Sequence, residues 1–506
     1  GLALADVVKS RGVTDGTVSL SIDNDAMTAK GTALYAGTKA DFEWQQDFTG
    51  SNNVETRIAA KATVDAGMRE IFDVFMRDRI EGPVPINFIY EERRDKTETF
   101  SAGLNLTDAK FSLPGFEWKK SAGTEATAEV AILMTDGKIT ALPQFRIDAG
   151  EFRMAGKGTF NPGAPDNTAN GGDTAGNPVV ETLDIERFIL GDTSFSATVR
   201  RATDRSFTID VSGGGFDATP FISQDLGGID APDLPALSLT GIFGRFWVGE
   251  AAPTSNVRME LKRDSTRWER IVVEGALPEG GKAISIKILP TPEGHNLEIY
   301  SADAGSLLKA MDVTDSIRTG IIEINGVRKG GPNAPWRGIA EMKRFRVADA
   351  PNFARLLTIA SLTGINDSIS GKGISFARLS FPYVFENEVA TITEARAVGS
   401  ELGITATGRI DFGKDAIDID GTIIPAYTIN SLLGQIPVIG TILTGEKGGG
   451  IFAASYKISG PVEKPKISVN PLSALAPGFL RKLLDGGGSS PTDGKTPDQE
   501  ESQGRQ

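Results

Sequence analysis

A chain of 506 residues is too long for one hydrophobic core, and its length leads us to expect three or four units. Its 66 acids outnumber its 53 bases, a net charge of -13, which argues against nucleic-acid binding and against a polybasic grip on anionic headgroups. The absence of cysteine excludes thiolate metal sites, thiol nucleophiles and disulfides; with His295 as its one histidine, the chain holds no multi-histidine metal site, and we expect no cofactor.

The dominant local signal is period-2 alternation, the mark of half-buried strands. Val18, Leu20 and Ile22 alternate with Thr17, Ser19 and Ser21. The segment 68–79 carries Ile71, Phe72, Val74 and Phe75 on a charged background and predicts a short amphipathic helix. A polar insert over 161–177 reads as a surface loop. Further on, Ile284, Ile286 and Ile288 alternate with Ser285 and Lys287, and Leu297 and Ile299 extend the pattern. His295 lies in a turn-like Pro-Glu-Gly-His-Asn context and reads as a surface-turn residue. Ile417 and Ile419 alternate with Asp418 and Asp420, whose carboxylates then share one solvated strand face.

Two echoes recur. Met27 to Gly31, Met154 to Gly158, Ile404 to Gly408 and, loosely, Ile271 to Gly275 share one template of an apolar residue four positions before a glycine. A repeated unit and chance in a glycine-rich β protein both explain it. The stronger echo relates Asp303, Leu307 and Leu308 to Asp349, Phe353, Leu356 and Leu357; each copy then reaches an Asp-Ser-Ile, a glycine and a strand. Aspartate ahead of apolar residues three and four apart predicts N-capped short helices near 303–311 and 350–362, and Leu307, Leu308, Phe353, Leu356 and Leu357 as packing residues.

From 421 to 445 the chain carries no charge. Pro425, Gly434, Pro437 and Gly440 interrupt the stretch and argue against a membrane span, leaving two short buried helices or an interfacial lid built on Leu432, Leu433, Ile436, Val438 and Ile439. A last helix over 473–484 would add Phe479 and Leu480 to that element, and the tail over 486–506 reads as disordered. The glycine-rich 445–450 lacks the order of a phosphate loop, and no catalytic motif stands out.

The C-terminal third is distinctive. Pro425, Tyr427, Asn430, Leu433, Gly434, Pro437, Gly440 and Gly445 lead into Tyr456, Gly460 and Pro461, then into Pro465-Lys-Ile-Ser-Val469-Asn470-Pro471. This region, roughly 345–485, resembles the C-terminal region of AsmA-like proteins of the YhdP type. The resemblance implies a bridge-like lipid transporter of the Gram-negative envelope, held in the inner membrane by an N-terminal helix that would precede Gly1. Such a chain would lie in the periplasm, carry phospholipid between the two membranes and support the outer-membrane barrier. The family has no agreed catalytic residues to carry over.

Alternation and resemblance together lead us to expect a mainly β chain: an elongated, repeat-like, curled antiparallel sheet forming an apolar groove, with short capping α-helices. We expect β-rich segments over 1–160, 161–283 and 284–410 and an AsmA-like segment with short helices over 411–485. The candidate groove lining is Val18, Leu20, Ile22, Ile284, Ile286, Ile288, Leu297, Ile299, Ile417 and Ile419. Expected partners are phospholipid, membranes at the ends of the chain and a protein of the envelope, and no nucleic acid. The competing expectation is a non-catalytic assembly protein that takes a partner by strand addition at an open sheet edge. A polysaccharide-acting enzyme would need clustered aromatics and carboxylates, which the sequence does not display.

Overall fold

The computed structural model describes residues 2–8, 11–65, 80–161, 179–223, 235–350, 373–425 and 454–470, apart from positions 36, 114, 250–251, 279–280, 312, 332 and 463. The chain divides into two units, Gly1–Asp315 with Glu323–Ala334 and Ser316–Ile322 with Pro335–Gln506. As the alternation predicts, the described residues are mainly strand, and the sheet does not close into a barrel.

The first unit opens with β1 (Leu2–Val8), β2 (Arg11–Ile22), β3 (Ala26–Tyr35), β4 (Thr38–Asp47) and β5 (Val54–Val64). After β6 (Ile80–Glu81) come β7 (Val84–Arg93), β8 (Thr97–Asn105), β9 (Lys110–Leu113) and β10 (Trp118–Lys120). The sheet resumes through β11 (Thr127–Thr135), β12 (Lys138–Ala149), β13 (Phe152–Asn161), β14 (Val179–Leu190), β15 (Thr193–Arg201) and β16 (Phe207–Asp217). Helix α1 (Thr219–Ser223) precedes β17 (Leu237–Trp247), β18 (Thr254–Arg263), β19 (Trp268–Ala276), β20 (Ala283–Thr291), β21 (Gly294–Ser301) and helix α2 (Ala304–Ala310).

Most of these strands pair antiparallel with the next in sequence, as short connections require. The Asp136–Gly137 turn is typical: both residues adopt positive φ, 51° and 72°, and Thr135 pairs with Lys138 across it. One junction departs from the expected antiparallel ladder. β16 and β17 run parallel, from Phe207 opposite Leu237 to Asp217 opposite Trp247. Parallel neighbours need a connection that returns the chain to the starting end, and residues 218–236 with α1 supply its length.

Strands β6, β9 and β10 leave the main ladder and form a small sheet of their own. It contributes Phe111, Leu113 and Trp118 to a sealed core with Val84, Leu106, Ala126, Phe152 and Phe188. Lys120 is buried beside it, its Nζ donating to the carbonyls of Thr107, Ala109 and Ser121 at 2.9, 2.8 and 3.0 Å. Burial lowers its pKa, and the three carbonyls satisfy every donor of the ammonium. Neither this small sheet nor the core was anticipated.

The second unit contains β22 (Ile317–Arg318), β24 (Trp336–Val347), β25 (Ile374–Glu386), β26 (Val389–Gly399), β27 (Leu402–Asp411), β28 (Ala416–Pro425), β29 (Ala454–Gly460) and β30 (Lys466–Asn470). From β24 onward they form an uninterrupted antiparallel ladder in chain order, and β22 pairs with β24 on its other side.

The first of the two predicted capped helices is present over Ala304–Ala310: the Asp303 side chain accepts from Ser306 N at 3.1 Å, and Leu307 is buried. Leu308 is half-buried. The glycines that end the two echoed units, Gly320 and Gly373, both adopt positive φ, 94° and 78°, immediately before β23 (Ile321–Lys329) and β25. The helices near 68–79 and 350–362 with Phe353, Leu356 and Leu357, the insert after 161, the uncharged stretch beyond 425 and the tail lie outside the described residues. Among the described residues no helix is long and apolar enough to cross a membrane.

Candidate functional site

Side-chain parity and strand register together determine what each face of a sheet presents. In the first unit they assemble one unbroken apolar row. Following the paired residues from strand to strand, it reads Val18, Gly31, Phe42, Ala60, Phe88, Ala102, Val130, Phe145, Gly156, Ile185, Ala197, Val211, Gly241, Met259, Val273, Ile286 and Ile299. No member of the row is charged or polar, although it crosses seventeen strands separated by turns of every length. The residues that flank it in sequence point to the other face and include Lys30, Asp41, Lys61, Glu129, Lys157, Glu186, Asp210, Arg258, Glu274 and Lys287. There, bases meet acids across the strands: Lys30 and Glu43 at 2.9 Å, Arg200 and Asp210 at 2.9 Å, Lys287 and Glu274 at 3.0 Å.

The large members of this row are only half-buried, among them Phe42, Phe88, Val130, Ile185, Val211, Met259 and Ile286. A sandwich core would seal such side chains, as the small sheet seals Phe152 and Phe188 to 1 % and 6 % exposure. A second row, Leu183, Val199, Ile209, Leu239, Leu261, Ile271, Ile288 and Leu297, runs beside the first on the same face.

Toward the opposite strand ends the face is covered. Phe188 stacks on Phe195 at 4.6 Å between ring centres, and Phe116 meets Phe188 and Phe221 at 5.0 and 5.1 Å. Phe216 continues the cluster to Phe243 and Phe246. Although the sequence displays no cluster of aromatics, phenylalanines far apart along the chain converge here because the ladder aligns them. The 26 phenylalanines in the chain were the available signal. The cluster is built of phenyl rings with one indole, Trp118, whose Nε1 donates to Glu151 at 2.6 Å.

The second unit repeats the arrangement. Gly338, Tyr383, Ile392, Gly408, Ile419, Ile458 and Ile467 form one register row, flanked by Trp336, Phe385, Ala390, Ile410 and Ile417. Asp418 and Asp420 do share the other face, where Lys457 lies 2.6 Å from the first and 3.1 Å from the second and holds the Asp418 carboxyl below the usual carboxylate range.

The predicted lining residues therefore fall on these faces. Ile286 pairs with Ile299 and Ile288 with Leu297; Ile284, opposite Gly275, shares their side of the sheet. Val18, Leu20 and Ile22 are also together, with Leu20 and Ile22 59 % and 60 % exposed. Ile417 is half-buried and Ile419 buried. The glycine template acquires a meaning here: Met27 with Gly31, Met154 with Gly158, Ile271 with Gly275 and Ile404 with Gly408 all lie on an apolar face, four residues apart along one strand. The lid residues Leu432, Leu433, Ile436, Val438, Ile439, Phe479 and Leu480 lie outside the described residues.

One reading is corrected. His295 is not in a surface turn. It lies on β21 opposite Pro290, 4 % exposed, because the hairpin turn ends at Gly294 and the strand has already begun. Burial, then the nearby Arg328 and Arg267, push its pKa below the ordinary imidazole value. Two depressions of about 660 and 690 Å³ lie mainly among residues of the polar face, such as Asp41, Lys61 and Glu129 in one and Lys157, Asp210 and Glu260 in the other. In the second, the Thr240 hydroxyl donates to the Asp210 carboxylate at 2.5 Å. Among the described residues no group of histidine and carboxylate side chains could hold a metal ion. No family model, curated protein or solved structure matches the chain.

Proposed function

We propose that this chain is the periplasmic part of a bridge-like lipid transporter, without catalytic activity, whose apolar faces carry phospholipid acyl chains between the inner and outer membranes. The observation that carries the reading is the row from Val18 to Ile299, apolar at every strand, with its large side chains half-buried rather than sealed. An acyl chain exposed to water costs about 0.8 kcal/mol per methylene, so a sixteen-carbon chain faces roughly 13 kcal/mol. A continuous apolar strip lowers that barrier at every point along the path and needs no specific pocket. Sixteen strand-to-strand steps of about 4.8 Å give the row a contour of roughly 77 Å, several acyl chains end to end. The resemblance of residues 345–485 to AsmA-like proteins points the same way and supplies the envelope setting.

Mass spectrometry of the protein purified in mild detergent tests the reading. We expect copurified phospholipid in excess of one molecule per chain. Protein that folds in native yield and carries no lipid, even after incubation with phospholipid vesicles, would overturn it.

A further inference from the structure

At one edge of the first unit's apolar face the aliphatic residues give way to cations. Arg201 lies two residues beyond Val199 on β15 and pairs with Phe207; Phe207 pairs with Leu237, Leu237 with Arg263 and Arg263 with Trp268. The Arg201 guanidinium lies 5.9 Å from the centre of the Phe207 ring, and that of Arg263 lies 5.6 Å from the Trp268 ring. Arg263 is 2 % exposed and donates to the Asp264 carbonyl at 3.0 Å.

These cations differ from those of the other face. Arg200, adjacent to Arg201 but on the opposite side of the sheet, is paired with Asp210 at 2.9 Å, and Arg270 with Glu260 at 3.3 Å. Arg201 Nε is buried and has no hydrogen-bond partner among the described residues. A buried polar atom left unpartnered is costly, so such a group marks a place where a ligand atom belongs. Guanidinium held against an aromatic ring at the rim of an apolar surface suits an oxyanion attached to an alkyl chain.

Building on the proposed function, we infer that the edge at Arg201 binds the phosphate of an anionic amphiphile whose chains lie on the Val199, Ile209 and Leu239 row. The face would then hold phospholipids in one orientation, heads along this edge and tails across the strands.

The test compares binding of phosphatidic acid and of diacylglycerol with identical chains to the full chain, using a fluorescent acyl label. We expect phosphatidic acid to bind about 10-fold more tightly, as one charge-assisted contact supplies. Arg201→Gln should bring the two affinities to within about 2-fold of each other. Arg200→Gln, which removes the same charge from the other face of the same strand, should leave it intact. Equal affinity of the unaltered protein for both lipids would overturn the headgroup edge while leaving the apolar face standing. Binding of neither lipid would overturn both. Saturable binding of inorganic phosphate with no preference for phosphatidic acid over diacylglycerol would show a free-anion site and overturn the amphiphile assignment.

Discussion

Tyr456 lies flat across Gly421, its register partner on β28, and reaches past it to donate to the Thr405 carbonyl on β27 at 2.9 Å. The ring fills the space that a side chain at 421 would occupy, and its burial pushes the hydroxyl up to about 12. Any Cβ at 421 would collide with the Thr405 carbonyl and with the phenol. We predict that Gly421→Ala destabilises the second unit by about 2–3 kcal/mol through overpacking and loss of this hydrogen bond, and Tyr456→Phe by about 1 kcal/mol. Hydrogen exchange in β27 to β29 reads both; an alanine variant with unchanged protection would refute the steric account.

Face membership separates neighbours along one strand. Ile286 lies in the central apolar row, whereas Ser285 points to the polar face beside Glu274. A charge at 286 faces the proposed acyl path, and a charge at 285 faces water. Ile286→Lys should lower copurified phospholipid several-fold, and Ser285→Lys should leave it near the unaltered level. Circular dichroism of both variants checks that the sheet survives. Equal lipid loss in the two would mean that side-chain direction is irrelevant to occupancy.

The sealed part of the face should respond differently. Phe188 is 6 % exposed and contacts Phe116, Phe152 and Phe195. Its truncation to alanine leaves a cavity that the rigid ladder cannot close, at a cost of about 3–5 kcal/mol. Phe42→Ala, from the half-buried row, removes contacts that water already partly reaches and should cost about 1–2 kcal/mol. Denaturant titration of the two variants distinguishes a covered edge from an open face; similar losses would contradict it.

His295 makes stability depend on pH. Its neighbours include Arg328 and Arg267, which disfavour protonation, and Glu269, whose carbonyl accepts from the ring and whose carboxylate favours it; burial, with the arginines behind it, outweighs Glu269 and the folded-state value falls below 6.5. The unfolded chain therefore takes up a proton at higher pH than the folded one. The contribution to stability is fully present above about pH 6.5 and is lost as the pH falls toward the depressed value. His295→Gln should flatten the melting temperature between pH 7 and pH 5. A slope unchanged by the substitution would show that other groups carry it.

Much of the local structure is legible in the sequence because strand alternation, aspartate capping and an Asp-Gly turn are properties of adjacent residues. Ile284, Ile286 and Ile288 share a face because side chains alternate along a strand, and Asp303 caps α2 because its carboxylate is within reach of Ser306 N. The same local reading misjudged His295: turn-rich residues before it do not reveal that Gly294 already pairs with Thr291, leaving the histidine inside the ladder.

What only the tertiary structure decided is which residues lie side by side across the strands. Phe116, Phe188, Phe195, Phe216 and Phe221 carry no mark in sequence that they will meet, and nothing local announces that β16 and β17 run parallel. Parity along a strand is written in neighbouring residues. Register between strands is settled by the whole ladder at once, since a slip of one position would turn the entire row from Val18 to Ile299 toward water.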